Sequence, residues 1–145
     1  MKKTVKIFSL VLALLLASLA LFGCKEPEPE AKSIWDSATY TSDTALGEGG
    51  KTINVTVEAE EKSVVITVKT DKDNVADALR EIGLIDGEDS GSYGFTVYTV
   101  NGILADFNTS GAYWAFYVNG EYSLVGASFI EVKDGDNIKI KYDKF

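Results

Sequence analysis

The strongest constraint in this sequence is a pair of alternating segments eighteen residues long. Ile53, Val55 and Val57 alternate with Asn54, Thr56 and Glu58, and after the polar stretch Ala59 to Lys62 the pattern resumes at Val64, Ile66 and Val68. A period of two places one side of each segment in a core and the other in water, as a half-buried strand requires. The short interruption leaves only a hairpin to join them, so residues 52 to 69 read as two antiparallel strands. Such a pair needs something to cover its apolar face.

The next stretch supplies that cover. In TDKDNVADALREIG, Val75, Ala78, Leu79 and Ile82 fall at i, i+3, i+4 and i+7, the stripe of an amphipathic helix of about ten residues. Asp71 or Asp73 is placed to cap its start, and Gly83 follows the last apolar position as a left-handed stop. Strands return at Phe95 to Val100, Tyr113 to Val118, a short stretch near Phe129 to Lys133, and Asn137 to Tyr142. They are separated by Asn101-Gly102, Asn119-Gly120 and Asp134-Gly135-Asp136. Asn-Gly pairs accept the positive φ angles of tight turns. The order β-β-α-β-β-β predicts an α+β fold, a β-grasp-like mixed sheet wrapped across one helix.

Ahead of the folded part, residues 1–23 place Lys2, Lys3 and Lys6 before an apolar run from Ile7 to Phe22, the layout of a secretory signal. Leu21-Phe22-Gly23-Cys24 resembles a bacterial lipobox, which implies acylation of Cys24 and a chain anchored by lipid on the outer face of a bacterial membrane. KEPEPEAKS then holds both prolines of the chain and reads as a solvated tether. Trp35 and Tyr40 are isolated anchors before the GEGG breaker at 47–50, so residues 24–50 read as tether and lead-in and 51–145 as the domain.

Composition narrows the function. Removing the signal takes away three lysines and no acid, moving the net charge from −8 to −11, and nucleic-acid binding is excluded for want of clustered cations. There is no histidine and only one cysteine, Cys24. Triads, Cys-His pairs, zinc sites and haem ligation by His or Cys are thereby removed, and no disulfide framework is possible within the chain. No pair of carboxylates is placed for acid and base work, so the expectation is a protein that is not an enzyme and carries no cofactor.

The last fifty residues hold a more specific pattern. Thr99-Val100-Asn101-Gly102, Tyr113-Trp114-Ala115-Phe116-Tyr117-Val118-Asn119-Gly120, Gly126, and Val132-Lys133-Asp134-Gly135-Asp136-Asn137-Ile138 through Tyr142 resemble, in order and spacing, the transcobalamin C-terminal-like family, also catalogued as DUF4430. The resemblance covers roughly residues 52 to 145. It implies a β-grasp-like domain related to ligand-binding modules and to the smaller domain of cobalamin carriers, where that domain closes over a corrinoid seated against a large helical barrel. This sequence shows no such barrel. Without imidazole, a corrinoid is held here by shape, stacking and hydrogen bonds to its amides.

The candidate ligand-binding residues are therefore Tyr93, Tyr98, Asn101, Tyr113, Trp114, Tyr117 and Tyr122. Trp114 and Phe116 also suit the buried side of their strand, with Tyr113 and Tyr117 on the other, and Asn101 serves its turn first. Asp86, Glu88 and Asp89 in the loop 86–94 present hard oxygens at alternate positions, but a flexible acidic connection is the simpler account and no metal site is expected. The expected function is uptake or handling of cobalamin or another corrinoid, with an uptake-system or cell-surface protein as partner. The alternative is an adaptor that binds another exported protein or a cell-wall polymer through its sheet edges and tyrosines, with no small ligand.

Overall fold

The alternating segments pair as their period demands. In the computed structural model, which describes residues 31–145, strand β2 (Lys51–Ala59) and strand β3 (Lys62–Thr70) form an antiparallel hairpin with Val55 opposite Ile66. The expected signal, Cys24 and the first part of the tether lie outside the described residues. Ile53, Val55, Val57, Ile66 and Val68 are fully buried.

Strand β9 (Asn137–Lys144) lies parallel to β2 on one side and antiparallel to β7 (Ala112–Val118) on the other. With the two-residue β8 (Glu121–Tyr122) and with β1 (Thr44–Gly47), the sheet order is β1-β3-β2-β9-β7-β8. Both β1/β3 and β2/β9 are parallel and the rest antiparallel, so the sheet is mixed. The fold is α+β and β-grasp-like. Over the inner face lie helix α1 (Val75–Glu81), which buries Val75, Ala76, Ala78 and Leu79, and a second sheet in the order β4-β5-β6 (Ile85–Asp89, Phe95–Val100, Ile103–Leu104).

Several expectations are corrected. Helix α1 has seven residues rather than ten, and its cap is Asn74, whose side chain accepts the Asp77 N–H at 2.9 Å. Asp73 faces outward to Lys51 at 3.0 Å, and Ile82 has left helical geometry before Gly83 turns left-handed at φ 68°. A second, four-residue helix, α2 (Phe107–Ser110), is present, capped by Asp106.

The stretch Phe129 to Lys133 is not a strand. Its neighbour is a helix start: Val75 donates to the Ile130 carbonyl and Val132 to that of Asp73, both at 2.9 Å, leaving a single bridge between Asn74 and Glu131. Much of the supposed acidic loop 86–94 is strand β4. There Gly87 sits at an irregularity in the pairing with β5, where the Thr96 carbonyl occupies the place a Cβ would take.

The lead-in also folds. The compact unit begins at Ser33, and Trp35, in a 3-10 turn at Ile34–Ser37, is buried with Nε1 donating to the Ala59 carbonyl at 2.9 Å. Strand β1 then extends the sheet, and Asp43 accepts the Val65 N–H at 2.8 Å. Two isolated aromatic anchors were the visible trace of this strap, which is too short and irregular to show a period.

Candidate functional site

Strand β7 is paired with β9 along its whole length, whereas on its other side β8 reaches only Tyr117 and Val118. Strand β5 is likewise paired with β4 along its length except at Tyr98, where the register shifts, and with β6 only at Thr99 and Val100. Ala112–Phe116 and Phe95–Tyr98 therefore have edges without a strand partner, and these edges approach each other. Trp114 Nε1 donates to the Tyr98 carbonyl at 3.1 Å, and the Phe95 N–H is taken by Ser128 Oγ at 2.9 Å.

A groove follows this seam. At one end it encloses about 470 Å³ among Val97, Tyr98, Leu104, Asp106, Phe107 and Tyr113. At the other it encloses about 350 Å³, lined by Tyr93, Phe95, Trp114, Tyr122 and Leu124 among others, with Thr96, Val97 and Tyr113 common to both ends. The lining of the first end is mostly apolar, as small-molecule sites are, whereas that of the second is as much polar as apolar. The rim of the groove is unusually apolar for a surface: Leu124 is 93% exposed and Tyr93 82%, and Leu104 and Phe107 are also open to solvent.

Five of the seven candidate residues meet along this groove. Tyr93, Tyr98, Tyr113, Trp114 and Tyr122 line it, although Trp114 is mostly core, packed edge-on against Tyr142 at 5.4 Å. Tyr117 points instead to the outer face of the sheet, where Tyr122 meets it edge-on at 5.4 Å and Lys139 lies 4.6 Å from its ring centre. Asn101 is not at the groove. It is buried, and its amide holds both backbone groups of Tyr40, accepting from N and donating to O at 2.8 Å each.

Sequence reasoning missed Val97, Leu104, Asp106, Phe107 and Leu124. Large apolar residues such as Leu104, Phe107 and Leu124, lying outside any period of two or 3.6, were the available signal.

The Tyr98 hydroxyl donates to Glu88 Oε1 at 2.7 Å, and this bond to a carboxylate raises the phenol above its ordinary range. Tyr113 is raised chiefly by loss of water, with Asp143 adding to it, and its ring lies 5.1 Å from that of Phe145. Asp106 is held low by hydrogen bonds from Thr109 and Asn108 in the first turn of α2. Among the described residues no group of three or more acidic, His or Cys side chains is placed to hold a metal ion. Asp86 and Asp89 accept the N–H groups of Gly87 and Gly91, and Glu88 is engaged by Tyr98.

Fold and groove together define a class: a β-grasp-like domain with an open, aromatic-rimmed groove of the kind that binds a ligand. Within that class the chain belongs to the family described as Domain of unknown function (DUF4430), which matches residues 72–144. Seventeen solved chains are similar. One is a protein from Ruminococcus gnavus ATCC 29149, provisionally described as metal binding. It is 30% identical with a TM-score of 0.62, over 66% of this chain and 99% of that one. Another is haptocorrin in complex with Cbi, 19% identical with a TM-score of 0.55, over 66% of this chain. The match spans a quarter of the haptocorrin chain and shows a shared fold. No curated protein matches.

Proposed function

We propose that this protein is a lipid-anchored, extracytoplasmic binding module that holds a corrinoid against the groove between β5 and β7 and does no chemistry on it. The observation that carries the reading is the groove itself, open, aromatic along its length and apolar at its Tyr98 end, in a domain that shares its fold with haptocorrin, a protein solved with Cbi. Flat rings along a strand edge suit a broad, partly apolar ligand. Because the groove is open, the ligand keeps one face toward solvent or a second protein, and the exposed Tyr93, Leu124 and Phe129 favour a protein surface there. The metal-binding description of the Ruminococcus relative finds no support in this groove, whose lining offers Asp106 as its one carboxylate.

Titration of the full chain in mild detergent with cobinamide and with cobalamin tests this. Binding in the micromolar range or tighter, about −8 kcal/mol or better, is expected, and Tyr98→Ala and Tyr113→Ala should weaken it by about tenfold each, as loss of an aromatic contact costs about 1 kcal/mol or more. No binding of either corrinoid refutes the reading and leaves the adaptor role, in which the same rim docks an exported protein.

A further inference from the structure

The groove has an electrical sign. Of the side chains lining its two ends, Asp106 alone carries a formal charge, and no lysine or arginine is among them. Asp106 Oδ1 accepts from the N–H groups of Asn108 and Thr109 at 2.9 and 3.3 Å, bonds that favour the ionised form. At the same end, Tyr98 has spent its proton on Glu88 at 2.7 Å, so its oxygen presents lone pairs and Glu88 keeps its second oxygen free of that bond. The end thus sets the acceptors of Asp106 and Tyr98 on an apolar floor, beside the Asn108 amide and Tyr113 hydroxyl, which can donate as well as accept. A ligand settling there is welcomed by its N–H donors. A carboxylate on the ligand loses water and meets negative charge, while Lys141, the cation felt at Tyr113, is engaged by Asp143 at 3.8 Å.

We infer that Asp106, with the Tyr98–Glu88 pair at the same end, is a specificity determinant that admits ligands whose polar periphery is amide and rejects those whose periphery is carboxylate. This rests on the groove being the corrinoid site, and it names which corrinoids the site takes: those with their peripheral carboxyl groups amidated. Asp106→Asn is a clean probe, because asparagine caps a helix as well as aspartate does and α2 keeps its first turn. Glu88→Gln likewise leaves an acceptor for the Tyr98 hydroxyl.

The experiment compares two ligands on the full chain in mild detergent: cobinamide, and a corrinoid whose side-chain amides have been hydrolysed to carboxylates. The carboxylated form is expected to bind about tenfold more weakly or worse, the order of one unscreened like-charge contact near a protein surface. Asp106→Asn and Glu88→Gln should each narrow the ratio by about threefold or more, and raising salt to about 1 M should narrow it in the unmodified protein. Equal binding of the two ligands, or a ratio that neither substitution moves, overturns this inference alone. Failure of both ligands to bind overturns the corrinoid reading and this inference with it.

Discussion

Replacing Asn101 with alanine should cost the domain about 3 kcal/mol. The side chain makes two hydrogen bonds of 2.8 Å to the backbone of Tyr40, each worth about 1 kcal/mol net, and their loss strands partly buried groups. The residue also sits at φ 53°, a left-handed conformation that alanine adopts at a further cost of about 1 kcal/mol. Together these reduce the folding equilibrium about a hundredfold and, with a typical slope for a domain this size, move the urea midpoint down by about 1 to 2 M.

Asn101→Gly separates the two contributions. Glycine loses the same bonds but accepts the backbone angle, and should be less harmful than alanine by about 1 kcal/mol. Urea unfolding followed by tryptophan fluorescence measures both, and amide exchange should quicken first at Thr39 and Tyr40, which donate to Asn101. An alanine variant within about 1 kcal/mol of the parent, less than the two bonds alone predict, or identical alanine and glycine variants, would refute the reasoning.

Other expectations follow from single contacts. Gly87→Ala places a methyl group where the Thr96 carbonyl lies, so it should destabilise by about 2 kcal/mol or more and separate β4 from β5, a loss visible as faster exchange of their amides. Tyr98 and Tyr113 hold their protons above the ordinary 10.0, so the stability they contribute is fully present below that value and is lost as pH rises through their raised native values. Glu88→Gln removes the charge beside Tyr98 and should bring its ionisation down, read by tyrosinate absorbance in a pH titration; an unmoved curve contradicts the assignment. Asp106 acts in the opposite sense: its contribution is present above 3.8 and disappears as pH falls through its lowered native value, checked by acid unfolding of Asp106→Asn against the parent. Cys24→Ser should abolish acylation and leave the precursor unprocessed, as mass measurement of the membrane fraction reports; normal processing defeats the lipoprotein reading.

Where apolar residues repeat with a period, the sequence was transparent. The β2–β3 hairpin, the stripe of α1, and the Asn-Gly turns at Asn101 and Asn119, both at positive φ, stand where the pattern puts them. Strand β4 was opaque because Asp86, Glu88 and Asp89 lie on an exposed edge, where no core-facing alternation is required. The strap was opaque because its hold on the core is a buried indole and a backbone pairing with Asn101, features without periodicity. For the groove, the tyrosines of β5 and β7 were legible as aromatics, but which edges lack a partner depends on sheet order. That order is set by a contact between residues more than eighty apart, Asn54 beside Asn137.

That pairing governs how the molecule can come into being. Strand β9, the last in the chain order, fills the middle of the six-stranded sheet between β2 and β7. A chain emerging from its N-terminal end holds only a hairpin with its strap, then a helix and a small sheet, and no piece can complete the common core until β9 arrives. Long-range closures of this kind fold slowly. The sheet therefore closes in a late, cooperative step, when the strand last in chain order takes its central place.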